Sequence, residues 1–187
     1  MKAVVFLATV LAGVLLPAAG EGTEEKGVTL KAGDKAPEFE ITSLNRDNNA
    51  AQNVKLADFK EKKNVLVAFY PKPFSPGCTT QLCGYRDDLE MFIKTDTEAI
   101  AVSMDTQAEI DRFKKEKAFR FYAGADPEGK IVKAYGVPIA SSPKGNYAKR
   151  AVFLIDKTGV IRYVDMNYNV TQSKAALYEA IKKLANP

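Results

Sequence analysis

The sequence predicts a three-layer α/β/α sandwich around a central mixed β-sheet, and three observations carry that expectation. Apolar, strand-forming runs alternate with amphipathic helical stretches from residue 64 to 135, a hairpin pattern follows at 151–164, and one amphipathic stretch closes the chain. With 46% hydrophobic and 27% charged residues among 187, the composition is that of a folded domain, neither disordered nor fibrous.

The N-terminus opens on Met1-Lys2, then an apolar run from Ala3 to Leu16, then Pro17-Ala18-Ala19-Gly20 before an acidic stretch. One positive charge, a short apolar run and small residues at the cut are the marks of a secretory signal peptide, with cleavage expected after Gly20. The run is short for a spanning helix, which needs about 20 apolar residues. Residues 1–20 are therefore expected as a signal peptide, 21–35 as a flexible polar arm and 36–187 as one domain. Export to the periplasm or to a secretory or extracellular space follows, with no stable membrane association after cleavage. Removing the leader takes away Lys2 alone among the charges, so the net +4 becomes +3. That balance is mild and mixed in sign, and predicts no nucleic-acid partner.

Within the domain, Asn64 to Tyr70 is a continuous apolar run ending at Pro71, as in a strand buried on both faces at the centre of a sheet. After a Pro/Ser/Gly loop, Leu82, Tyr85, Leu89 and Phe92 recur at spacings of 3, 4 and 3, one stripe of a helix expected from Gly77 to Lys94. A strand at Ala99–Ser103, a helix at Thr106–Lys117 and a short strand at Arg120–Ala123 come next. A turn at Asp126-Pro127-Glu128-Gly129 then leads into a short helix ending at Tyr135. The runs Ala151–Ile155 and Val160–Val164, joined by Asp156-Lys157-Thr158-Gly159, read as a hairpin. Ser173–Leu184 closes the chain as a helix with Leu177, Ala180, Ile181 and Leu184 on one face.

The chain has no His and no Trp. Ser-His-Asp and Cys-His catalysis, HExxH zinc sites and proximal-His haem ligation all need an imidazole, so a nucleophile here must be activated otherwise. The loop after the central strand delivers Cys78 into the first turn of a helix, where unpaired N–H groups and the positive end of the helix dipole favour a thiolate. Cys83 follows five residues on. On an intact helix that spacing puts the two Cα atoms roughly 8–9 Å apart, beyond the 7 Å or so that a disulfide bridges. The pair is thus a poor structural staple and a plausible redox switch. The bland alternative is a buried apolar Cys83 beside a spectator Cys78.

The segment from Phe69 to Asp87, FYPKPFSPGCTTQLCGYRD, resembles the active-site segment of peroxiredoxins, in particular the Q-type (bacterioferritin comigratory protein) subfamily of the AhpC/TSA family. The similarity extends to Ala36-Pro37-Glu38-Phe39, Val102-Ser103-Met104-Asp105, Ala134-Tyr135-Gly136-Val137 and Lys149 to Asp156. It implies a thioredoxin-like fold and a thiol-dependent peroxidase that reduces hydrogen peroxide and organic hydroperoxides without metal, haem or flavin. By position, Cys78 matches the peroxidatic cysteine and Pro71 the proline that shields it. Ser75 matches a hydroxyl, more often Thr, that contacts thiolate and peroxide, and Arg150 the arginine beside the sulfur. Cys83 matches the resolving cysteine, implying an intramolecular disulfide that a thioredoxin-like dithiol protein reduces, in a monomer or weak homodimer. From its own surroundings Arg150 reads as a surface or salt-bridging arginine at a strand start; only the resemblance gives it a role.

The competing reading is a secreted thioredoxin-like thiol:disulfide reductase, but such proteins rely on Cys-x-x-Cys and here four residues intervene. A glutathione-peroxidase-like site would need a Trp. Asn169-Val170-Thr171 is a glycosylation sequon of low weight, and the lysines at 60–63 and 114–117 read as solvated faces.

Overall fold

The computed structural model describes residues 28–45, 47 and 49–185; the expected signal peptide and the first residues of the arm lie outside them. The chain runs β1 (Glu40–Leu44), β2 (Ala51–Lys55), a 3-10 turn (Leu56–Phe59), β3 (Asn64–Phe69), α1 (Pro76–Asp87), α2 (Leu89–Lys94), β4 (Thr97–Ser103) and α3 (Gln107–Glu116). It continues through β5 (Tyr122–Ala125), α4 (Lys130–Ala134), β6 (Ile139–Ser142), β7 (Gly145–Ala148), β8 (Ala151–Ile155), β9 (Ile161–Asp165) and α5 (Lys174–Ala185).

The central sheet has the order β5-β4-β3-β8-β9. Its first three strands are parallel, β8 runs antiparallel to β3, and β9 antiparallel to β8, so the sheet is mixed. Because successive side chains point to opposite faces, the apolar run of β3 fills two cores at once. Leu66, Ala68 and Tyr70 face a cluster with Leu82, Tyr85, Phe92, Ile110, Phe113, Leu177 and Ile181 from α1, α2, α3 and α5. Val65, Val67 and Phe69 face Ile41, Val54, Leu56, Val132 and Tyr135. The second outer layer is therefore α4 together with the β1–β2 hairpin and the 3-10 turn. The hairpin packs tightly: a Cβ built on Gly124 of β5 would stand 2.5 Å from Ile41 Cβ and 2.9 Å from the Thr42 carbonyl oxygen, so this crossing requires glycine.

Several expected elements shift. The helix expected from Gly77 to Lys94 breaks at Asp88, whose φ/ψ of −94°/19° and acceptance of the Met91 N–H (3.0 Å) mark a tightened turn. Asp88 Oδ2 also takes a hydrogen bond from the Tyr178 hydroxyl and an ion pair from Lys174 Nζ, both 2.7 Å, tying the break to α5. The strand expected at Arg120–Ala123 lies at Tyr122–Ala125, because Phe119 and Phe121 are buried by ring stacking (centroids 5.0 Å apart) rather than by a full ladder. The hairpins β1–β2 and β6–β7 had no clear signature, being short and partly polar. Of the residues read as an arm, Gly33 donates to the Ile161 carbonyl at 2.8 Å, and Lys35 bridges Val160.

The β8–β9 turn is organised by Asp156. Its Oδ1 accepts from Thr158 N (2.8 Å), Thr158 Oγ1 (2.6 Å) and Val160 N (3.0 Å), and its Oδ2 from Arg162 Nε (2.6 Å). Burial alone would raise this carboxyl, but the donors outweigh it and hold it below its ordinary value. A carboxyl depressed in the folded state stabilises the protein above its unfolded pKa, and that contribution disappears as pH falls through the folded one. Asp156→Asn is accordingly expected to cost about 1–2 kcal/mol near neutrality. The gap should stay constant above about pH 5 and close in more acid solution, as measured by urea midpoints across pH.

Candidate active site

Tyr70 ends the β3 run, and Pro71 then turns the chain out of the sheet at the C-terminal end of its parallel strands, where ligands bind in open α/β sheets. The loop from Pro71 to Ser75 is held at several points. Phe74 has φ +59°, unusual for a residue with a Cβ. Its ring packs on Phe113 (centroids 4.7 Å) beneath the Arg112 guanidinium (4.3 Å), which secures that conformation. Ser75 is the N-cap of α1, with extended φ/ψ, and Pro76 occupies the first helical position with φ preset for a helix.

Cys78 thus enters the first turn of α1, fully buried. Arg150, half-buried between β7 and β8 and 72 residues away in sequence, reaches it: Nη2 stands 3.4 Å from Sγ. The other terminal nitrogen, Nη1, donates to Gln81 Oε1. Gln81 in turn donates through Nε2 to the Tyr85 hydroxyl at 3.0 Å, so one face of α1 orients the guanidinium that meets the sulfur. A Cβ on Gly77 would lie 3.1 Å from Arg150 Nη2, and glycine there leaves room for the approach.

The site residues expected from sequence therefore fall in three groups. Cys78 and Arg150 are in contact. Pro71 and Ser75 belong to the loop leading to Cys78, and the Ser75 hydroxyl donates to the Lys72 carbonyl at 2.9 Å. Cys83 lies on the same unbroken helix, half-buried against the core, and both cysteines are free thiols. Sequence reasoning passed over Gln81 and Tyr70. Gln81 is three residues past Cys78 and four before Tyr85, a polar side chain on the inward face of a helix, and that is a readable signal. The Tyr70 hydroxyl is buried beside Ser103, Asp105 and Cys78. Burial foremost pushes its pKa up and keeps it protonated.

A loop-borne thiol at a helix start, met by a guanidinium, at the end of a thioredoxin-like sheet is the arrangement of a thiol-based redox enzyme. The model of the AhpC/TSA family matches residues 32–164. Among curated proteins, the chain is 38% identical over 138 residues to Peroxiredoxin Bcp of Bacillus subtilis, covering 71% of this chain and 82% of the relative. It is 31% identical over 159 residues to Peroxiredoxin Bcp of Escherichia coli, covering 83% and 98%. Among solved structures, BcpB of Mycobacterium tuberculosis superposes with a TM-score of 0.72 at 20% identity over 83% of this chain and 98% of the other, a likeness of fold. The chain belongs to the AhpC/TSA family and is a peroxiredoxin, a thiol peroxidase.

Proposed function

We propose that this enzyme reduces hydrogen peroxide and organic hydroperoxides through Cys78, with Cys83 as the resolving thiol and a thioredoxin-like dithiol protein as reductant. The observation that carries this reading is the 3.4 Å contact of Arg150 with Cys78 Sγ at the helix start. The Cys78 thiolate attacks one peroxide oxygen, the O–O bond breaks, and the other oxygen leaves as alkoxide or hydroxide and takes a proton, giving Cys78–SOH. Arg150 and the first-turn N–H groups of α1 are placed to stabilise the charge as it moves from sulfur to the leaving oxygen. Cys83 then attacks the sulfenic sulfur, water leaves and the disulfide forms. Closure needs α1 to unwind locally, since both cysteines lie on one intact helix. The dithiol donor restores both thiols by exchange. The leader-like segment 1–20 supports export, which would place that donor outside the cytosol.

The test is peroxide and cumene hydroperoxide consumption by the reduced protein, followed by mass spectrometry of trapped thiols. Cys83→Ser is expected to make one sulfenic acid per chain at the wild-type rate, form no intramolecular disulfide, lose turnover with thioredoxin and accumulate sulfinic acid. Intact thioredoxin-driven turnover in Cys83→Ser would refute the resolving role. Reduction of insulin disulfides with peroxide consumed no faster than by free thiol would refute the peroxidase reading.

A further inference from the structure

The loop that carries Cys78 is anchored to the neighbouring strand by a pair of charges outside the residues assigned so far. Lys72 Nζ stands 2.8 Å from Asp105 Oδ1, with 40% and 12% of the two side chains exposed. Asp105 follows the end of β4 and is itself fixed: its Oδ2 accepts from the Ser103 hydroxyl at 2.8 Å, and its N–H donates to that same oxygen at 3.2 Å. Ser103 is fully buried. The main chain of Lys72 is engaged as well, its carbonyl accepting from Ser75 Oγ at 2.9 Å and Ser75 N at 3.4 Å. The chain of contacts therefore runs from β4 through Ser103, Asp105 and Lys72 to the N-cap of the helix that bears Cys78.

Phe74 sits in the left-handed region between these anchors, so the loop pays a backbone cost that fixed neighbours must hold in place. The Lys72 ammonium supplies one such anchor by tying the loop to Asp105 at the end of β4.

We propose that Lys72 and Asp105 are a positioning pair for the peroxide-attack step, holding the Ser75 N-cap, and with it Cys78, in register. Neither touches the reacting atoms. This rests on the peroxidase reading above and assigns the pair to its first step only, not to disulfide closure. Lys72 reaches solvent, so the pair is screened and its worth to global stability is modest, whereas misplacing a reacting group by about an ångström slows chemistry strongly.

The experiment separates the two steps in Lys72→Met, Asp105→Asn, the double variant and Lys72→Arg. Because the chain has no Trp, rapid quenching with a sulfenic-acid trap and thiol alkylation, read by mass spectrometry, replaces fluorescence. Each single variant is expected to form Cys78 sulfenic acid about tenfold more slowly. The double variant should be no slower than the worse single one, since the two residues act as a unit, and Lys72→Arg should recover most of the loss. The rate of disulfide closure and the melting temperature should stay at wild-type values. Wild-type sulfenic acid formation in both single variants, losses that multiply in the double variant, or closure slowed in parallel would each overturn the proposal. If the wild-type protein itself forms no Cys78 sulfenic acid, the peroxidase reading falls first and the pair's role falls with it; a normal wild-type signal with unaffected variants removes the pair's role alone.

Discussion

Cys78→Ser is expected to reduce peroxide no faster than buffer does, a loss on the order of 10⁴–10⁶-fold, the range seen when a nucleophile is removed from an otherwise intact site. A serine hydroxyl stays protonated where a thiol can ionise, and oxygen is a far weaker nucleophile toward a peroxide O–O bond than thiolate sulfur. The fold should survive. Serine is close to cysteine in size, and Arg150, which now donates to Sγ at 3.4 Å, can donate to the hydroxyl instead. Placing a hydroxyl where a fully buried thiol stood costs about 1–3 kcal/mol at most when it is partnered. The measurement is peroxide loss under pseudo-first-order conditions beside a thermal melt. A variant that melts normally and still turns over would place the nucleophile elsewhere, and Cys83 is the other thiol in the chain.

The second large effect is at Arg150. Arg150→Met keeps an unbranched, flexible stem and removes both the charge and the donors of the guanidinium, leaving Cys78 Sγ without its cation and Gln81 Oε1, nine-tenths buried, without that donor. Loss of one preorganised donor aimed at developing charge slows a reaction by about 10²–10³-fold, and that loss is expected in the rate of Cys78 sulfenic acid formation. Arg150→Lys should fall between. An ammonium restores the charge, but it cannot hold Gln81 and the sulfur through two separate nitrogens as the planar fork does. Gln81→Leu offers a check on the geometry, because it leaves the guanidinium present but unsteered. Equal rates in the wild-type and Arg150→Met proteins would remove Arg150 from the reaction.

The parts of the molecule legible in the sequence share one property: their signals lie within a short window. The apolar run Asn64–Phe69, the helical stripe from Leu82 onward and the Asp156–Gly159 turn are set by side-chain period and turn chemistry over a few residues. The placement of Cys78 at a helix start and the five-residue interval to Cys83 are equally local, since Pro76 and the stripe after it determine where α1 begins. The β1–β2 and β6–β7 hairpins were not legible because strands of four or five residues with polar members carry little periodicity. The break at Asp88 was hidden because its cause, the Tyr178 and Lys174 side chains of α5, lies about ninety residues away.

The sequence by itself thus determined the class of fold, the central strand, the identity of the buried thiol at the helix start and the separation of the two cysteines. Arg150, from its own neighbours, was only an arginine before a strand; family resemblance pointed to it, and its contact with sulfur 72 residues away appears only in the folded chain. That contact exists because β8, apolar enough to be buried on both faces, inserts antiparallel beside β3 and brings the chain just before it over the start of α1. Gln81, Lys72 and Asp105 acquire their neighbours in the same way. Local periodicity fixes which elements form, while the pairing of strands distant in sequence, driven by burial of apolar surface, decides which side chains meet.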